Sequence, residues 1–141
     1  MENGNVSENA YVNNCTIKGK KTVGGAMGTY DYVGWNMNNV KVADSNISGE
    51  NNVGGISGSG GLLNDSIIIS STIEGNSTNS IRVGGLVGNT SWRNSGCGVL
   101  NCNIISKGSE VGGITGRGME LNACYGVNNY VEGYSNVGGI S

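Results

Sequence analysis

Ten carboxylates, four cysteines and eight aromatics are the residues of this chain with chemistry to offer, and histidine is absent. The acids are Glu2, Glu8, Asp31, Asp44, Glu50, Asp65, Glu74, Glu110, Glu120 and Glu132, spread along 141 residues. Without an imidazole there is no general base of the usual kind, no Ser–His pair and no imidazole metal ligand. A glycosidase needs two acids facing one another across a sugar. Folding can bring distant acids together, but no such pair is evident in the sequence. The nearest approach to a calcium-binding β-roll phrase is Gly54-Gly55-Ile56-Ser57-Gly58-Ser59, with Ser59 where the ligand Asp stands. A phosphate loop needs a glycine-rich turn feeding a helix, often with a lysine, and neither is present. These absences lead us to expect no enzymatic activity, no catalytic residue, no metal site and no cofactor.

The thiols and aromatics remain. Cys15, Cys102 and Cys124 follow an Asn directly or one residue on, in the position that Ser66 takes elsewhere. A cysteine that alternates with serine is expected to be a small buried filler with a free thiol. An even cysteine count also suits disulfides, and Cys102 with Cys124 is the pair a bridge would join first. Tyr30, Tyr32, Trp35 and Trp92 are the candidate ligand-contacting aromatics. They lie in segments of variable length, expected as loops, where exposed rings can stack on sugars. The competing reading is that they cover the edge of the fold.

What positions these residues is a repeat. Val-Gly-Gly recurs at Val23, Val53, Val83, Val111 and Val137, with spacings of 30, 30, 28 and 26 residues. The first four copies run on as VGGAMG, VGGISG, VGGLVG and VGGITG. The repeat-defining residues are Gly24, Gly25, Gly54, Gly55, Gly84, Gly85, Gly112, Gly113, Gly138 and Gly139. A fixed period in this range marks a supersecondary unit stacked on its neighbours. The stretch from Leu63 to Gly75 aligns without a gap on Leu121 to Gly133, which a disordered Gly/Asn/Ser linker would not require.

Composition supports a solenoid. The chain has 27 Gly, 22 Asn, no Pro and no Phe, and only 13% charged residues. Gly and Asn tolerate positive φ, so the chain can turn often. No apolar run approaches the roughly 18 residues of a membrane span. A net charge of −2, with no basic cluster beyond Lys18, Lys20 and Lys21, argues against nucleic acid as a partner.

Each repeat reads as two or three short strands rich in Val and Ile. One is the VGGxxG phrase. A second runs from Ser66 to Ser70 in one copy and Cys124 to Asn128 in another. A third covers Thr16 to Gly19, Asn46 to Gly49, Thr72 to Gly75 and Tyr130 to Gly133. In the fourth copy, Ile104 to Gly108 departs by displacing the apolar residue. No stretch shows a sustained helical period. The expected fold is an all-β parallel β-helix of about five coils of 26–30 residues with almost no helix.

Stacking coils about 4.8 Å apart turns equivalent positions into ladders. Ala26, Ile56, Leu86, Ile114 and Ile140 should form one inside column. The glycine pairs before them should lie at a bend where a side chain would crowd the next coil. Outside, Thr22, Asn52, Arg82, Glu110 and Asn136 should form one column, and Lys18, Ser48, Glu74, Lys107 and Glu132 another. In both, adjacent charges are opposite, as cross-strand neighbours prefer.

The phrase VGGLVG at 83–88, with Asn-Cys or a near variant and a closing x-Val-x-Gly before the next VGG, resembles the GLUG-motif repeat. The resemblance covers about residues 11–141. It implies a repeat of bacterial surface and secreted proteins, including adhesin-like proteins and repeat regions of some IgA-cleaving metallopeptidases. Those metallopeptidases place their zinc in a separate domain, which has no counterpart here. The resemblance implies an extracellular or bacterial cell-surface location, without insertion into a membrane.

Residues 1–10 read as a polar segment or partial coil, and 11–141 as a single solenoid domain. The chain stops inside a fifth VGG phrase, so the expectation is a piece of a longer protein or a fibre subunit. Two functions follow from this organisation. One is a structural or adhesive module that meets other coils end to end, or a host or cell-surface glycan or protein. The other is a carbohydrate-binding or carbohydrate-processing β-helix that uses the loop aromatics.

Overall fold

In a computed structural model, described for residues 6–29, 35–79, 81–118 and 120–140, the chain is a parallel β-solenoid of about four turns with no helix. Each full coil contributes not two or three strands but five. Sheet 1 stacks Val6–Glu8, Asn36–Asn38, Leu62–Asn64, Arg93–Ser95 and Glu120–Asn122. Sheet 2 stacks Tyr11–Asn13, Lys41–Ala43, Ile67–Ile69, Gly98–Leu100 and Tyr125–Val127. Sheet 3 holds Thr16–Lys18, Asn46–Gly49, Thr72–Gly75, Asn103–Ser106 and Tyr130–Glu132. Sheet 4 carries the VGG phrases in Thr22–Gly24, Asn52–Gly54, Arg82–Gly84, Ser109–Gly112 and Ser135–Gly138. Sheet 5 has Ser57–Ser59, Val87–Asn89 and Thr115–Arg117, with Met27 bridged to Ser57.

The core is a set of single-residue columns, one per sheet. Met37 and Leu63 line sheet 1, Val42, Ile68 and Val99 line sheet 2, and Ile47, Ile73 and Ile104 line sheet 3. Val23, Val53, Val83 and Val111 line sheet 4, each at most 5% exposed. Because the middle residue of a three-residue strand points in, its two neighbours point out. Short strands between sharp corners thus leave room for only one apolar row per face.

Asparagine makes the corners. Asn9, Asn39, Asp65, Gly96 and Ala123 turn the chain from sheet 1 to sheet 2, all at φ between 47° and 64°. Asn14, Asp44, Ser70, Asn101 and Asn128 turn it from sheet 2 to sheet 3, at φ between 49° and 54°. Asn and Asp enter this left-handed region most easily among residues with a side chain. Their amides also stack: Asn39 donates to Asn9 at 2.7 Å and Asn128 to Asn101 at 2.8 Å.

The VGG phrase is not one strand but two, with the chain folding back between sheets 4 and 5. None of the VGG glycines has positive φ. They are required by proximity, as expected at a crowded bend. A Cβ on Gly84 would overlap the Val87 carbonyl oxygen and lie 2.6 Å from the Gly116 nitrogen and 2.8 Å from the Thr115 Cα. The column that follows is in register, since Ala26, Ile56, Leu86 and Ile114 each donate a backbone N–H to the next member's carbonyl. Ile56, Leu86 and Ile114 are fully buried, while Ala26 and Ile140 at the two ends are exposed.

The fourth copy does not displace its apolar residue. Ile104 stands on Ile73, and Ser106 takes the place of Gly75. That register removes Lys107 from the outer column, which reads Lys18, Ser48, Glu74, Ile105 and Glu132. The sign alternation expected there is therefore absent. In the other column Arg82 Nε meets Glu110 Oε2 at 2.7 Å, as expected. A second pair, Arg93 with Glu120 at 2.9 Å, lies in sheet 1, a sheet the repeat pattern did not reveal.

Coil length varies. Tyr11, Lys41, Ile67, Gly98 and Tyr125 stand one above another, so successive coils measure 30, 26, 31 and 27 residues. Strand Val6–Glu8 already pairs with Asn36–Asn38, so the first coil begins within the polar 1–10 segment.

Candidate functional site

Among the described residues, the acids do not assemble into a facing pair. Glu110 and Glu120 are held by arginines, Glu8 accepts from Asn38 at 3.4 Å, and Glu132 accepts the Tyr130 hydroxyl at 2.6 Å. That hydrogen bond to a carboxylate raises Tyr130 above its ordinary range. Glu74 and Glu132 share an outer column but Ile105 stands between them. Among the described residues, no group of three or more His, Cys, Asp or Glu side chains could hold a metal ion.

All four cysteines are free thiols, and the corners explain their exchange with serine. At Cys15, Val40, Ser45 and Cys102, each following a left-handed corner, the backbone N–H is capped by the side chain one coil above. Ser45 N donates to Ser71 Oγ at 3.1 Å, and Cys102 N to Asn129 Oδ1 at 2.9 Å. Side chains at these positions also donate to the carbonyl two residues earlier, Ser71 Oγ to Ile69 at 2.9 Å and Cys102 Sγ to Leu100 at 3.1 Å. A small side chain with a γ heteroatom satisfies both backbone groups, which an alkyl group cannot.

There are two such columns. Ala10, Val40, Ser66, Cys97 and Cys124 precede the strands of sheet 2, and Cys15, Ser45, Ser71, Cys102 and Asn129 precede those of sheet 3. Cys102 and Cys124 therefore occupy different columns, and the coil-to-coil neighbour of Cys124 is Cys97. Counting from the asparagines misassigned them, because both corners present the same Asn-then-small-residue phrase.

Burial pushes the Cys97 thiol from its ordinary 9.0 up to about 12, with Cys124 and Asp65 adding to the rise and the Ser66 N–H opposing it. Burial likewise raises Cys102. A thiol that holds its proton more tightly when folded contributes stability that is complete below about pH 9 and lost as pH climbs towards 12. Under reducing conditions, wild type should therefore lose up to about 4 kcal/mol more than Cys97→Ser across that window. Denaturant titrations at stepped pH measure the difference. Parallel curves for the two proteins would show that Cys97 does not titrate in the folded state.

The aromatics separate into two groups. Tyr30 and Tyr32 lie outside the described residues. Trp35 and Trp92 each immediately precede a strand of sheet 1, and Gly61 holds the equivalent place in the coil between them. Leu62 N donates to Trp35 O at 2.7 Å, while the Thr90 hydroxyl joins Gly61 O at 3.4 Å to Trp92 N at 3.0 Å. The two tryptophans thus stand in one file, two rungs or about 9.6 Å apart. Trp92 is 39% exposed and Trp35 is half-buried. The intervening Gly60 and Gly61 both adopt positive φ, which lets the second coil pass to the third with no longer loop.

Sequence reasoning missed a second aromatic and apolar surface. On the outside of sheet 2, Ile67, Ile69 and Leu100 are half-buried beside exposed Tyr125 and Val127. The Tyr125 ring lies over Gly98, where a Cβ would come within 2.6 Å of it. The last coil adds Tyr130, Tyr134, Val137 and Ile140, all at least 45% exposed. Val137 and Ile140 follow buried members of the second, third and fourth coils in their columns, so for these two the signal was position in the stack and not residue type.

No family model and no curated protein sequence matches this chain. Among solved structures, it is similar to a provisionally named immunoglobulin A1 protease from Bacteroides ovatus, with a TM-score of 0.59 and 19% identity. The similarity covers 97% of this chain and 51% of that one, so the chain spans about half the length of that protein. At this identity the likeness concerns the fold.

Proposed function

We propose that this chain is a structural and adhesive β-solenoid module of the GLUG-repeat type, carried by a bacterial cell-surface or secreted protein. The observation that carries the proposal is the contrast between a fully covered interior and a last coil that exposes Tyr125, Val127, Tyr130, Val137 and Ile140. Apolar groups repeating along an open sheet suit contact with another coil or a partner surface. The similarity to a Bacteroides ovatus protein supports a bacterial setting. Cleavage of immunoglobulin is not carried over. The chain has no histidine, and its described acids form no facing pair.

A second reading is favoured by the file of Trp35 and Trp92. Two indoles two rungs apart along a straight edge suit an extended glycan, whose sugar faces stack on aromatic rings. An array of glycans and matrix proteins, probed with the multimerised module, tests both readings. Binding that disappears in Trp35→Ala and Trp92→Ala assigns the ligand to the sugar-stacking edge. Binding that survives both supports adhesion through another surface. Silence across the array removes the adhesive function and leaves the structural one.

A further inference from the structure

Cys97 and Cys124 are the only adjacent cysteines within either corner column, and three observations place their sulfurs together. Their strands are in register, with Gly98 opposite Tyr125, and Tyr125 N donates to Cys97 O at 2.9 Å. Neighbouring positions of stacked strands stand about 4.8 Å apart, within the Cα separation that a disulfide spans. Both sulfurs also converge on the same stretch of backbone. Cys97 Sγ lies 3.3 Å from the Ser95 carbonyl oxygen, and Cys124 Sγ lies 3.4 Å from that of Asn94.

We propose that Cys97 and Cys124 are a cross-linking site, closed to a disulfide by a small disulfide oxidant, which fastens the last coil to the one beneath it. Cys124 is half-buried and Cys97 fully buried, so Cys124 meets the oxidant first. Its thiolate attacks one sulfur of oxidised glutathione, releasing one glutathione thiolate and leaving a mixed disulfide. Cys97 then gives up its proton to solvent and attacks the Cys124 sulfur, which releases the second glutathione. Two protein thiols are oxidised and one glutathione disulfide is reduced to two thiols. The second step is the slow one, because burial holds the Cys97 proton tightly.

This site differs from the Cys102–Cys124 pair that spacing suggested. Cys102 sits one corner away, its Sγ donating to the Leu100 carbonyl and its backbone N–H to Asn129, the next member of its own column. The bridge would fasten the coil that presents the exposed apolar groups, so it secures that surface to the stack. The inference stands on geometry alone and does not depend on the adhesive reading.

The test treats the folded, reduced 141-residue chain with oxidised glutathione at neutral and mildly alkaline pH. Free thiols are then counted after denaturation, and bridged peptides are identified by mass. Wild type is expected to fall from four thiols to one, with Cys97 and Cys124 bridged, glutathione retained only on exposed Cys15, a faster reaction at the higher pH and a raised melting temperature. Trypsin leaves Cys97 and Cys102 on the same peptide, so Cys102→Ser and Cys97→Ser make the assignment. Cys102→Ser should still form the bridge. Cys97→Ser, expected to fold because Ser66 fills the same column, should stop at a glutathione adduct on Cys124 beside the one on exposed Cys15. A bridge that persists in Cys97→Ser, or Cys97 and Cys124 still unbridged in wild type at the higher pH, overturns the proposal.

Discussion

Gly84→Val is expected to abolish the folded state, at a cost above about 4 kcal/mol, which is a large part of a domain's total stability. The added Cβ would strike the Val87 carbonyl oxygen, the Gly116 nitrogen and the Thr115 Cα. All three are backbone atoms held by ladder bonds, so no side-chain rotation relieves the overlap. Relief requires opening the bend between sheets 4 and 5 within the third coil and also parting that coil from the fourth, which breaks pairing in both sheets. Asn76→Ala is the comparison. That side chain is exposed, and its backbone bond to Gly49 O at 2.7 Å survives the change, so the cost should stay within about 0.5 kcal/mol. Urea denaturation followed by circular dichroism separates the two. A Gly84→Val protein as stable as Asn76→Ala would mean that sheets 4 and 5 are not packed backbone to backbone.

The second large effect concerns association. In solution the 141-residue chain is expected to assemble end to end as concentration rises, reaching masses several times that of the monomer. Val137 and Ile140 are 45% and 46% exposed, although Val111 and Ile114 beneath them are at most 1% exposed. Beside them the strands of the last coil present unpaired backbone groups. Contact between opposite ends is heterologous and does not close, so it propagates, whereas two like ends would stop at a dimer. Val137→Lys with Ile140→Lys places charge in both columns and should hold the protein as a monomer. Light scattering over a wide concentration range reads the outcome. Wild type that remains monomeric beside the lysine variant would remove end-to-end stacking from the proposed function.

Much of the architecture was legible because a solenoid writes one contact many times. The inside column from Ala26 to Ile140, the glycine bend and the Arg82–Glu110 pair all follow from laying VGG phrases over one another. Sheet 1 was hidden because its inward positions share no residue type. Met37, Leu63 and Leu121 stack with Asn94, which is fully buried. Asn94 accepts the Leu63 N–H at 3.1 Å through its side chain, standing in for a backbone partner. The fourth copy misled because Ser106, and not Gly108, replaces the closing glycine. The cysteine pairing misled because two successive corners use the same local phrase. Of the candidate site, Trp35 and Trp92 were visible as residue types. Their shared file was not visible, since it depends on Gly61 occupying the place between them.

The unequal coils have a consequence for how such a chain can diversify. Sheets 1 to 3 follow one another at a constant step in every coil, with single-residue corners fixed by left-handed Asn, Asp or their substitutes. All length change falls at two seams. One lies between Gly75 and Arg82, where the third coil carries several more residues than the second does between Gly49 and Asn52. The other joins sheet 5 to the next sheet 1, spanned by Gly60 and Gly61 in one coil and by Thr90, Ser91 and Trp92 in another. Residues can be gained or lost along these seams while every interior column keeps its vertical neighbours. The solenoid thus separates a spindle of constant step from two adjustable margins, where recognition sequences can be grafted without retuning the core.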